Sequence, residues 1–134
     1  MKTEELIQTY YREFNKRNVV GLLKILHPHV IHTTFAGNIE IGLDAFQKYI
    51  LGVFDCVKET VSNVIILVSD DGRYASAQVI CDGEYVKTAY NYPEARNQKY
   101  SVECHSFFEI KDGLIYKLSN YFNEKDWLAQ ISPK

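Results

Sequence analysis

The chain has 134 residues, enough for one domain with a real core and too few for two. Fifteen Lys and Arg against 17 Asp and Glu give a formal net charge of −2 with both signs interspersed, so neither nucleic acid nor an anionic membrane is an expected partner. Cys56, Cys81 and Cys104 are odd in number and far apart, with no CxxC pair, which fits reduced core thiols in a cytoplasmic protein. The acidic start MKTEELIQTY and the lack of any run near the roughly 18 apolar residues of a membrane span predict a soluble protein.

Taken in order, Thr3 opens a helix in which Leu6, Ile7, Tyr10 and Phe14 form one apolar stripe, with Tyr10 mid-stripe and Tyr11 at its margin. The segment NKRN at 15–18 ends it. A second short helix over 19–26 is stopped by Pro28, which disfavours helix at His27. A strand follows over 30–35, a turn at 36–38, a return over 39–41, and a third helix over 44–54 with Asp44 as its N-cap. Two long strands, 58–69 and 73–89, flank the turn Asp70-Asp71-Gly72, and 90–98 is a loop holding Pro93. Residues 100–122, YSVECHSFFEIKDGLIYKLSNYF, form a central hairpin, because Asp112-Gly113 between β-rich runs is the strongest short-range hairpin signal. Asn123 to Asp126 then caps a final helix over 127–131.

Helices first and long antiparallel strands after them predict an α+β domain spanning 1–134, a cone-shaped curved sheet, antiparallel or mixed, packed against the N-terminal helices. Such a cone holds a small hydrophobic molecule. Alternation puts Tyr100, Val102, Cys104, Ser106, Phe108 and Ile110 on one face, and Leu118, Asn120 and Phe122 together on the return strand. Ser106 and Asn120 are small polar groups on a wall otherwise formed by Phe108, Leu118, Phe122 and Ile80. Asp82 shares a period-two face with Gln78 and Ile80. If that face looks inward, Asp82 is a carboxylate whose burial would make it a useful base; if Ala75, Ala77, Val79 and Cys81 look inward, it is not. His32 shares a face with Thr34 and is an acid or base suited to neutral pH. The triple HPHVIH lacks a further ligand at metal spacing, so neither metal nor cofactor is expected. His105, Phe107 and Tyr121 would leave aromatic surface in water on the opposite face, which predicts a homodimer.

The opening helix with Tyr10, the return IEIG at 39–42 and FFEIKDGLIYKLSNYFNEKDWLAQI at the end resemble the nuclear transport factor two-like, cystatin-like fold, and within it the bacterial ketosteroid-isomerase-related, SnoaL-like proteins. The resemblance covers nearly the whole chain. It implies Tyr10 as an oxyanion donor, Ser106 at the second donor position and Thr34 where ketosteroid isomerases carry an aspartate base. Threonine cannot take a proton from carbon at neutral pH, so ordinary ketosteroid isomerase activity is expected to be absent or weak. Two functions remain open from the sequence: an isomerase-like or cyclase-like enzyme moving a proton on a carbonyl compound, with Tyr10 as electrophile and Asp82 or His32 as base, and a non-catalytic protein that binds a hydrophobic small molecule.

Overall fold

Sequence periodicity accounts for most of the elements in the computed structural model, which describes residues 1–133. Helices α1 (Thr3–Asn15) and α2 (Val19–Lys24) come first, followed by strands β1 (Leu26–Thr33) and β2 (Ile39–Ile41). Helix α3 (Leu43–Cys56) leads into β3 (Val57–Val68), β4 (Tyr74–Tyr85), β5 (Gln98–Lys111) and β6 (Leu114–Phe122), and α4 (Glu124–Ile131) closes the chain. The strands form one sheet in the order β2-β1-β6-β5-β4-β3. It is mixed, because β1 runs parallel to β6 while every other pair is antiparallel.

The central hairpin turns where its chemistry requires. Asp112 and Gly113 both take positive φ, 55° and 72°, the left-handed pair whose twist matches the flanking strands. Helix α1 buries Leu6, Ile7 and Tyr11 against the sheet, together with Phe108 and Leu118 from the strands. Its C-terminus is tied to β3 by Asn15, whose Nδ2 donates to Val61 O at 2.9 Å and whose Oδ1 accepts from Val61 N at 2.8 Å. On α4, Asn123 is the N-cap and accepts from Asp126 N at 3.0 Å.

Several boundaries move. Strand β1 begins at Leu26 and contains Pro28, which falls where pairing with β6 is interrupted between Leu26 and Ile31, so the missing N–H breaks no ladder there. Helix α3 is preceded by Gly42 at φ 95°, a left-handed conformation suited to glycine, and Asp44 lies inside the first turn rather than at the cap. Strand β4 ends at Tyr85, because Val86 and Lys87 turn their N–H groups to Cys56 O at the end of α3. Residues 86–97 form the loop before β5, held down by Tyr85, whose Oη donates to Pro93 O at 2.7 Å and accepts from Ala89 N at 2.9 Å.

The inward face of β4 is the set Ala75, Ala77, Val79, Cys81 and Tyr85. Pairing of β4 with β5 runs without a break from Tyr74 to Tyr85, so Asp82-Gly83 is neither bulge nor turn, and the period of two carries Gln78, Ile80 and Asp82 to the outer face. Asp82 is exposed there, on the side of the sheet away from the cavity. Among the described residues no second layer covers that outer face: Phe107 is 52% and Tyr121 49% exposed in the single chain.

Candidate functional site

Between α1, α3 and the concave face of the sheet lies a cavity of about 440 Å³ with mostly apolar walls. That volume falls in the range of small-molecule sites. Helix α1 contributes Tyr10, Tyr11 and Phe14; α3 contributes Tyr49, Ile50 and Val53; the strands contribute Glu59, Val79, Cys81, Tyr100, Val102, Cys104, Ser106, Asn120 and Phe122. Thr88, Ala89, Tyr90 and Tyr92 reach it from the loop, and Trp127 from α4.

Of the residues selected from the sequence, Tyr10, His32, Ser106, Asn120 and Phe122 line this cavity. Phe108 and Leu118 do not; both are buried in the core, and the Phe108 ring packs edge-on against α1 at 5.7 Å from Tyr10 and 6.4 Å from Tyr11. Thr34 is buried at the β1–β2 turn, where its Oγ1 accepts from Asn38 N at 3.2 Å, outside the cavity wall. Asp82, Gln78 and Ile80 lie on the far side of the sheet.

The polar groups in the cavity fall into three sets. Ser106 Oγ donates to Asn120 Oδ1 at 3.0 Å across the central hairpin, leaving the Asn120 amide N–H₂ free to donate. Close by, consecutive tyrosines on α1 stand edge to face with centroids 5.2 Å apart. Among the described residues Tyr11 Oη is a buried side-chain polar atom with no hydrogen-bond partner. Burial pushes the Tyr11 hydroxyl up to about 12 against the opposing pull of the nearby Ser106 hydroxyl. Ser106 donates its own proton to Asn120 and forms no bond of hydrogen-bonding geometry with Tyr11. Burial raises Tyr10 further, so both tyrosines remain protonated donors near neutral pH. The second set is His32, with its ring 4.5 Å from Tyr49 and its Nδ1 3.4 Å from Glu40 Oε1. Burial lowers its pKa against the opposing pull of Glu40, which favours a neutral imidazole.

Sequence reasoning passed over the third set. Glu59, on β3, accepts a hydrogen bond from Tyr100 Oη, and the Cys81 thiol is among the groups near it. Burial holds its carboxyl above the usual range, although Tyr100, Cys81 and the more distant Arg17 all favour the charged form. The signal for it was present: an acidic residue two positions from Val57 and Val61, on the same face of an otherwise β-branched strand. Tyr11 was likewise visible, four residues after Ile7 on the buried stripe.

A model of the SnoaL-like domain matches residues 7–118. No curated protein matches the sequence. Among solved structures, a candidate polyketide cyclase from Pseudomonas putida superposes with a TM-score of 0.97 at 29% identity, covering 98% of this chain and 99% of its own. A second, from Xanthomonas campestris, gives 0.95 at 30% identity over 98% and 97%. A third, from Silicibacter, gives 0.96 at 32% identity over 98% and 96%.

Proposed function

The chain belongs to the SnoaL-like family, and from that premise we propose that it is a cyclase-like or isomerase-like enzyme that takes a small, planar, hydrophobic carbonyl compound into its cavity. It works as a homodimer in the cytoplasm and uses no cofactor. The observation that carries this reading is Tyr11 Oη, an orphaned donor in an apolar enclosure. An unsatisfied buried donor costs roughly 1–3 kcal/mol, and folding alone does not account for keeping it there. A ligand carbonyl oxygen satisfies it. Tyr10 and Asn120 supply further donors along the same wall, so the oxygen, and the negative charge that develops on it when an adjacent carbon loses a proton, meets fixed hydrogen bonds in a space with little water.

Tyr11→Phe provides the test, with 2-tetralone, a planar bicyclic ketone, titrated into the protein and followed by NMR. Removing the hydroxyl is expected to weaken binding by roughly 1–2 kcal/mol while leaving thermal stability equal or higher, since an unsatisfied group has been deleted. Tyr10→Phe should weaken binding in the same range. Loss of stability with unchanged affinity would show that the tyrosines serve the fold alone.

A further inference from the structure

We propose that Glu59 is the proton-transferring catalytic residue of this cavity and that Tyr100, reaching it across the gap left by Gly83, is its positioning residue. The inference rests on the carbonyl-compound reading above and assigns the base that reading lacks. Asp82 faces away from the cavity, and the position implied for an aspartate base holds Thr34, which is engaged at a turn.

The geometry comes from three strands in register. Glu59 of β3 pairs with Gly83 of β4, and Gly83 pairs with Tyr100 of β5, so the three residues form one rung on the concave face. Strands are separated by about 4.8 Å, and a side chain at the middle position would keep the outer two apart. Gly83 has none. A methyl group built on it would overlap the Tyr100 ring, whose Cζ and Oη occupy that space. The φ of Gly83 is not in the left-handed region, so the glycine is needed for room and not for backbone conformation. Through this slot Tyr100 Oη donates to Glu59 Oε2, and its ring stacks edge-on against Trp127 with centroids 6.0 Å apart. Glu59 and Tyr100 both contribute to the cavity wall.

Tyr100 binds one carboxyl oxygen and so orients the other. Ionised Glu59 accepts a proton from the carbon next to the ligand carbonyl. The C–H electron pair becomes the enolate double bond, and the carbonyl π pair moves onto oxygen, where the Tyr11 hydroxyl holds it. Protonated Glu59 then returns the same proton to that carbon or to one further along the conjugated system. The first outcome is exchange and the second isomerisation. Neither needs an oxidant or a co-reactant. Burial raises the Glu59 pKa, which strengthens it as a base, while Tyr100 limits the rise. The other groups facing it are Cys81 on β4, Tyr49 on α3 and Arg17 beyond α1.

The experiment follows exchange of the α-protons of 2-tetralone in D₂O by NMR, with binding measured on the same samples. Wild type is expected to accelerate exchange over buffer, and Glu59→Gln to lose about 100-fold or more of that acceleration at unchanged affinity. Tyr100→Phe should raise the Glu59 pKa by removing a bond to its charged form, shifting the acid limb of the pH–rate profile to higher pH. Gly83→Ala should shift that limb the same way. A purely structural Tyr100 would leave the profile in place. Failure of wild type to bind 2-tetralone would overturn the carbonyl reading, and this inference with it. Binding without exchange, or exchange that survives Glu59→Gln, would overturn the role of Glu59 and leave the binding reading standing. If Glu59→Gln fails to fold, an unmoved pH limb in Tyr100→Phe and Gly83→Ala still refutes the assignment.

Discussion

Placing a carboxyl among Tyr49, Cys81 and Tyr100 costs free energy whenever that carboxyl is ionised, because burial withholds the water that would stabilise its charge. The folded-state pKa of Glu59 is raised, so its contribution to stability is fully present below the unfolded value and is lost as pH rises through the folded one. Glu59→Gln keeps an oxygen for Tyr100 to donate to and removes the charge. Its melting temperature should therefore exceed that of wild type at pH 8 by a few degrees, the response to about 1 kcal/mol in a domain of this size. The advantage should vanish toward pH 4. Calorimetry across that range decides the point; equal melting temperatures at both ends would mean the carboxyl is not held at a cost. His32 works in the opposite direction. Its pKa is lowered, so its neutral form supports the fold above the ordinary histidine value and that support is lost as pH falls below it.

At the scale of elements, the pose of α1 decides where its two tyrosines point, and Asn15 sets that pose by bonding both backbone groups of Val61. Asn15→Ala should cost roughly 1–3 kcal/mol in urea unfolding and also weaken 2-tetralone binding, since it leaves buried backbone groups unpaired and frees the helix end. A stability loss with unaltered binding would separate the helix anchor from the site. Elements such as α1 and the central hairpin were legible because their signals are local: a stripe at three to four residues, and an Asp-Gly turn whose two residues both adopt positive φ. The phase of β4 was not. Ala75, Val79 and Cys81 on one face and Ile80 on the other are both plausible core sets, and only the neighbouring strands choose between them. The same limit hid Glu59, whose partner lies 41 residues away and reaches it across Gly83 of the strand between them.

For the whole molecule, the outer face of the sheet carries large apolar side chains that no layer of the described residues covers. Register across the strands arranges it in two rungs. Leu67, Ser76, Phe107 and Ser119 form one, and Ile65, Gln78, His105 and Tyr121 the other. Leu67 is 68% and Ile65 55% exposed, beside Phe107 and Tyr121 at about half. Four large apolar side chains stand on adjoining rungs, with the small Ser76 between Leu67 and Phe107 and the polar Gln78 and His105 between Ile65 and Tyr121. A two-fold axis through the sheet would set the Phe107 rung of one copy against that of the other, burying both with the same residues twice. The expected state is therefore a homodimer at micromolar concentration. Phe107→Glu places like charges face to face across that axis and should give a folded monomer by sedimentation, with its circular dichroism unchanged. The cavity lies on the concave side of the sheet and Phe107 is not part of its wall, so 2-tetralone binding should survive the substitution. A wild-type monomer at those concentrations, or a dimer that persists in Phe107→Glu, would put the association surface elsewhere.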